Sequence, residues 1–595
     1  MKRRAVWLVF SCLLVTALVL ASCGPAAEEA EEGKTVTGKV AEEEEKTTEE
    51  EVVSEEVEKG PQYGGTLKPL VYWAAASWDP VNEASAQVNV FGGTIYEKIG
   101  IGDWAKSPAG TGECNFDHYG FFDVSKYGRG QLAESWEQPD PLTIIVHLRK
   151  DVRWQNKPPV NGRELVADDV VYSYNRYLES PLSAMPIRDT GALESITAPD
   201  KYTVVFNLNS VYSEAIHELF FQACNFIHPR EVVEMYGDLT DWKNACGTGP
   251  FLLVDVVEDS GYTYEKNPGY WGYDEVNPDN RLPYVDTVKS LVIPDRSTIL
   301  SALRTGKLDM AWRIVLDDAE ALWATNPELQ SYEMLSAVGC AFHVRADEPP
   351  FDDISVRQAC NMAINYQEII DDYYKGKAEV INFPIMKSWT ELYNDLMAEM
   401  PEDVKEIYSY NPEKARQLLA EAGYPDGFET ELTVDAQLQE QATILCNYLA
   451  EVGIDVNMNL VEFGTLYTLR TSRDYTGMLA GRMGVRAPLV YESWYMSTHP
   501  WNHSSLVDEA YDAKVTDALA TADADERNEK IVDIAIHLLR NAPDCPRFPH
   551  PYEFNFWQPW VKNFHGEMCL GTYYFGPLFA RCWVDQDVKD EILGK

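Results

Sequence analysis

The chain divides near residue 60 into a part that cannot build a core and a part too large for only one. From Gly24 to Gly60 it is almost all Glu, Lys, Thr, Val and Ala, densest at Glu42-Glu43-Glu44-Glu45, with no aromatic residue. Such a segment cannot bury enough apolar surface to offset the entropy of ordering it. Like charges keep it extended, so residues 23–60 read as a disordered tether. A short solvated helix is the alternative, because Glu, Ala and Lys are good helix formers. The roughly 535 residues that follow exceed a single core, and two or three domains are expected.

Ahead of the tether, Lys2, Arg3 and Arg4 precede an apolar run from Ala5 to Ala21, and Leu20-Ala21-Ser22-Cys23 closes it. Charge, apolar core and small-residue site in this order read as a secretory signal over residues 1–22, with an uncleaved anchor as the alternative. Leu-Ala-Ser-Cys is similar to the bacterial lipobox, which implies cleavage before Cys23 and lipidation of its sulfur. The expected place is extracytoplasmic, held at the cell membrane by acyl chains, in a periplasmic space or on the outer face.

The formal net charge of −45 argues against nucleic acid as a partner, since phosphates are repelled. It also disfavours anionic lipid surfaces. Of eleven cysteines, Cys12 would leave with the signal and Cys23 would carry lipid, so an odd number remains. Cys224 with Cys246 and Cys569 with Cys582 are the first pairs to test as disulfides. No C-x-x-C spacing supports a zinc ribbon or a thioredoxin-like site.

Period and turn chemistry place the elements. Leu67 to Trp73 reads as a first strand, and Ser77-Trp78-Asp79-Pro80 as a turn. Thr143–Leu148 and Tyr202–Leu208 read as strands, with a helix from Ala167 to Arg176 between them whose first turn holds Asp168 and Asp169. Asn411-Pro412-Glu413 starts a helix that Gly423 ends. Thr430–Val434, Gln439–Glu451 and Ile454–Val461 then alternate as strand, helix and strand, which argues for an α/β lobe.

No nucleophile elbow, H-E-x-x-H motif or P-loop occurs, and nothing requires an enzyme, a cofactor or a resident metal. His499 and His503 stand four apart, but Pro500 between them makes a regular helix, and hence a helical metal pair, a poor reading. Aromatic residues are the positive signal. Tyr491, Trp494, Tyr495 and Trp501 cluster in a segment rich in Gly, Pro, His and Ser, which reads as a loop. Trp494 and Trp501 are therefore candidate walls of a ligand cleft, with a small satellite core as the alternative.

Several ordered blocks then carry a resemblance. They include Gln131-Leu132-Ala133-Glu134-Ser135-Trp136-Glu137, Val146-His147-Leu148-Arg149-Lys150, Ala167-Asp168-Asp169-Val170, Gly247-Thr248-Gly249-Pro250-Phe251 and Lys266-Asn267-Pro268-Gly269-Tyr270-Trp271. Val356-Arg357-Gln358-Ala359, Asn411-Pro412-Glu413-Lys414-Ala415 and Glu421-Ala422-Gly423-Tyr424-Pro425 continue them. Together they resemble family 5 extracellular solute-binding proteins, the receptors of peptide- and nickel-type ABC importers. The resemblance implies an α/β, two-lobed fold of the periplasmic-binding-protein type II kind, with an extra β-rich subdomain inserted in the first lobe. It implies a first lobe at 61–99, 208–320 and 546–595, the insert at 100–207 and a second lobe at 321–545. It further implies an oligopeptide-like solute held between the lobes and handed to permease subunits.

The pattern also departs from that family. The ligand-pairing segment maps to Glu83, Ala84, Ser85 and Ala86, and a second one to Arg482, Met483, Gly484, Val485 and Arg486. Val485 falls about where the family carries the aspartate that holds a peptide's α-amino group, and valine cannot pair with an ammonium. Arg482 and Arg486 point instead to an anionic or polyhydroxyl group, such as an oligosaccharide or another blocked or acidic solute, or are simply solvated or paired. A nickel chelate stays open through His499 and His503.

Overall fold

The computed structural model of the protein describes residues 60–594, apart from 73, 76, 82–91, 117–121, 181–186, 188–189, 223–224 and 485. The signal, Cys23 and the tether thus lie outside the described residues, except Gly60.

Helices and mixed sheets alternate as expected. Thr66–Leu67 and Leu70–Val71 run parallel to Thr287–Val292, which continues antiparallel through Gly261–Lys266 and Phe251–Val257. The single strand expected at Leu67 to Trp73 is in fact two short ones, and Trp73 lies outside the described residues. Pro69 has no N–H to give a ladder. At this break the Lys68 N–H turns instead to Asp309 Oδ2, 2.8 Å away.

The β-rich insert is a four-stranded antiparallel sheet in the order Ala133–Asp140, Thr143–Leu148, Thr203–Leu208, Leu193–Asp200. In both central strands buried and half-buried residues alternate, so Ile144, Val146 and Leu148 share one face with Val204, Phe206 and Leu208. The helix Ala167–Glu179 packs on this sheet. Its Arg176 reaches back to the buried Asp79 of the predicted turn, with Nη1 2.9 Å from Oδ1.

A second α/β region is a five-stranded sheet in the order Ile454–Val461, Phe428–Asp435, Met478–Gly484, Val338–Val344, Asp544–Arg547. Its first two strands pair in parallel from Phe428↔Ile454 to Asp435↔Val461, joined by the helix Gln439–Glu451. The helix Pro412–Glu421 precedes them. Asn411 caps it by accepting from the Lys414 N–H at 3.1 Å, and Gly423 leaves it at φ +98°, a conformation cheap only for glycine. Between the two regions, His550–Trp557 runs antiparallel to both Met310–Ile314 and Gln330–Leu335.

Two expected disulfides are not supported. Cys569 and Cys582 are both buried free thiols, and so is Cys246; Cys224 lies outside the described residues. The backbone holds them on different partners. Cys569 lies along Phe116, while Cys582 follows the helix Gly576–Arg581 and precedes Trp583, which pairs with Lys562.

The C-terminal return is fastened by a buried polar knot. Glu97 accepts from Gln131 Nε2 (3.2 Å), the Tyr270 hydroxyl (3.1 Å) and Trp271 Nε1 (2.9 Å), and Gln131 also donates to the Tyr574 hydroxyl (2.7 Å). Burial outweighs these donors and pushes the Glu97 carboxyl up to about 7. Because the folded protein holds this proton more tightly than the unfolded chain, the stability it contributes is full below the unfolded value. That stability is lost as pH rises through about 7. Melting temperature should therefore fall between about pH 5 and 8. In Glu97→Gln that fall should shrink by the equivalent of roughly 3 kcal/mol or less.

Candidate functional site

The central strand Met478–Gly484 pairs antiparallel with Val338–Val344, in the register Arg482↔Cys340 and Gly484↔Val338. It delivers the chain to the segment from Arg486 to Trp501. Glu83, Ala84, Ser85, Ala86 and Val485 fall outside the described residues. Gly484 is half-buried at the strand's end, and Met483 lies within the strand. Arg482 is exposed, as a solvated arginine would be. Arg486 is half-buried, with its guanidinium 5.0 Å above the Trp494 ring.

The aromatic segment differs from the expected loop. Pro488 occupies the first turn of a short helix, Pro488–Ser493, where its missing N–H costs nothing. Tyr491 lies on that helix, with Trp494 and Tyr495 just beyond it; these three are 0, 8 and 3 % exposed. They are core. Trp501 alone of the four is on an open loop, 37 % exposed, and stacks on Trp494 with ring centroids 5.1 Å apart. Of the two rings expected as a wall, one is thus exposed and one buried, and neither is among the residues that line the cavity beside this helix. His499 accepts from the Trp501 N–H at 3.1 Å, whereas His503 is buried against Trp501 and His343. Among the described residues no group of three or more His, Cys, Asp or Glu is placed to hold a metal.

One carboxylate organises this region. Asp544, buried at the start of the edge strand, accepts from Arg547 Nη2 (2.7 Å), the Ser504 hydroxyl (2.7 Å) and the Tyr495 hydroxyl. Arg547 and Tyr495 are on Oδ2, and His343 Nδ1 stands 2.8 Å from Oδ1, the oxygen that also takes the Ser504 hydroxyl. Burial alone would raise its pKa, but His343, Arg547 and Tyr495 outweigh that and hold the carboxyl well below the usual range. Arg547 Nη2 also donates to the Tyr491 and Tyr495 hydroxyls, both at 3.1 Å. Strand, helix and loop are thus pinned to one buried ion pair.

Beside this helix opens a cavity of about 1230 Å3. Ala487, Pro488 and Leu489 line it, as do Ser213, Glu214 and His217, just past the insert's sheet. Sequence reasoning named none of these polar residues. Single carboxylates and histidines carry no pattern until the fold brings them together.

Residues 129–505 match the family described as "Bacterial extracellular solute-binding proteins, family 5 Middle". Heme-binding protein A of Haemophilus influenzae is 27 % identical over 465 residues, covering 73 % of this chain and 81 % of that protein. Di/tripeptide-binding protein 1 of Pseudomonas aeruginosa is 28 % identical over 470 residues, covering 73 % and 82 %. The solved periplasmic binding protein DppA of Helicobacter pylori, in complex with the peptide STSA, superposes with a TM-score of 0.68. That likeness has 23 % identity and covers 88 % of this chain and 99 % of that one. The fold is the two-lobed α/β type of periplasmic binding proteins.

The two tryptophans should separate on mutation. Trp494→Ala should lower the stability of the solute-free protein by about 3–5 kcal/mol, the cost of a core ring. Trp501→Ala should cost about 1 kcal/mol or less, since much of its surface is already in water. Urea unfolding of both variants measures the difference.

Proposed function

This chain belongs to the family 5 bacterial extracellular solute-binding proteins, and from that premise we propose that it captures an oligopeptide-like solute between its lobes and delivers it to the permease of an ABC importer. The observation that carries the reading is the two-lobed fold with a large cavity lined by residues 211–217 and by Ala487, Pro488 and Leu489. Relatives named for dipeptides and tripeptides favour the peptide class. A ligand that touches both lobes binds the closed arrangement better than the open one and shifts the hinge equilibrium by its differential affinity. Such a receptor needs no catalytic residue. The lobe boundaries proposed are 61–99, 208–320 and 546–595 for the first, 100–207 for the insert and 321–545 for the second.

Lipid anchorage through Cys23 belongs to the same proposal, resting on the Leu20-Ala21-Ser22-Cys23 motif. Among the described residues no helix is long and apolar enough to cross a membrane. A receptor for a blocked or acidic solute is the second reading, favoured by the half-buried Arg486 above Trp494.

Two outcomes are expected. Titration calorimetry with short oligopeptides should show saturation near one solute per chain, the solute recovered unchanged; repeated turnover of a cleft-bound compound would overturn the receptor reading. Cys23→Ser should leave membranes on salt washing while keeping the soluble part's affinity. A Cys23→Ser protein that stays membrane-bound would favour an uncleaved helix.

A further inference from the structure

A buried carboxyl, Glu492, and a half-buried one, Glu214, stand beside the cavity with no close cation hydrogen-bonded to either. Glu492, on the helix Pro488–Ser493, is 0 % exposed, and neither of its carboxylate oxygens has a hydrogen-bond partner. Its backbone carbonyl is fixed by the Tyr511 hydroxyl at 2.8 Å, so the residue is held in place rather than free to swing out. The charged group acting on it is Glu214, which lines the cavity. The nearest ring nitrogen to the Glu214 carboxylate is His217 Nδ1, 3.7 Å away. His217 lines the cavity, is 6 % exposed and has both ring nitrogens without a hydrogen-bond partner. The buried Ser213 hydroxyl beside them has none either.

Packed protein does not leave such groups together without reason. A buried polar atom without a partner costs about 1–3 kcal/mol, and an unpaired buried charge more. Here the Glu492 carboxyl, the Ser213 hydroxyl and the His217 imidazole share that condition, with half-buried Glu214 beside them. The neighbouring charges do not cure it. Asp123 adds a third negative charge, capping its own helix and lying 3.8 Å from Lys126, which is also paired with Glu391. Arg527 acts on Glu214 from a distance while donating to the Thr521 and Ala522 carbonyls, and Arg486 acts on His217 while lying over Trp494. Neither guanidinium hydrogen-bonds the Glu492 oxygens. Consistently, burial and then Glu214 raise the Glu492 carboxyl well above its usual range, burial lifts Glu214 to about 7, and burial with Arg486 lowers His217 to about 4.

We propose that Glu492 and Glu214, with neutral His217 and Ser213 beside them, form the receptor for a cationic nitrogen of the captured solute, a primary ammonium or guanidinium. The proposal rests on the reading of the chain as a peptide-type receptor and supplies the amine anchor that Val485 cannot. An ammonium has three donors and no acceptor, which matches acceptor-only carboxylates and an imidazole nitrogen. A cation lodged between the two acids takes the place of the protons that burial makes them hold.

The test uses the full soluble chain and three probes: a library of free-amine di- to pentapeptides, the same library N-acetylated, and 1,4-diaminobutane as a bare diammonium. Wild type should bind the free-amine library at least about tenfold more tightly than the acetylated one, the range expected for a charge-assisted hydrogen bond. In Glu492→Gln the preference should collapse to about twofold or less. Glu214→Gln should do the same, guarding against a fold defect in the first variant, and the melting temperature of each is read alongside. Equal binding of both libraries by wild type, or full retention of the preference in both variants, overturns the site. If neither library binds but diaminobutane binds wild type and not Glu492→Gln, the peptide reading fails and the cation site stands. If no probe binds at all, the site fails too.

Discussion

The second α/β region depends on the ion pair of Asp544 and Arg547. Placing a carboxylate where no water reaches is expensive unless its lone pairs are filled. Here they are filled by Arg547 and Tyr495 at one oxygen and by Ser504 and His343 at the other. Each donor belongs to a different part of the chain. His343 comes from a central strand, Tyr495 follows the short aromatic helix, Ser504 lies on the loop beyond Trp501, and Asp544 and Arg547 form the edge strand. The pair's contribution is geometric: it sets where the helix Pro488–Ser493 stands, and with it Arg486, Glu492 and the Trp494–Trp501 stack.

From that placement the binding chemistry follows. The helix brings Pro488 and Leu489 to the cavity and carries the unsatisfied Glu492 carboxyl, while the segment after the insert's sheet lines the same cavity with Glu214 and His217. A solute that bridges two lobes gains contacts that neither lobe offers alone, which is how ligand binding becomes a conformational signal. The polar knot at Glu97 plays a complementary part elsewhere, tying Gln131 at the insert's edge and Tyr574 of the C-terminal return to one buried acid.

Regular elements were legible wherever local pattern and tertiary demand agree. The strands at 143–148 and 454–461 and the helix at 439–451 have the bounds that period and turn residues predict. The reading failed where a single residue overrode the pattern. Pro69 split an apolar run into two strands, and Pro488 started a helix inside what composition marked as loop. The site itself was less legible. Ring-rich composition singled out the segment from Tyr491 to Trp501 but could not tell the buried Trp494 from the exposed Trp501, because burial is decided by distant strands. Among 95 acidic residues nothing in the sequence could single out Asp544, Glu214 or Glu492. Their roles come from lost solvent and missing partners, which only the assembled fold creates.

Native mass spectrometry of the soluble chain, incubated with a mixed oligopeptide library and desalted, tests the central claim most directly. A receptor of this kind should retain one peptide per chain, released on denaturation at its original mass. A chain that retains none, or that converts the library to shorter products over many turnovers, would contradict the account.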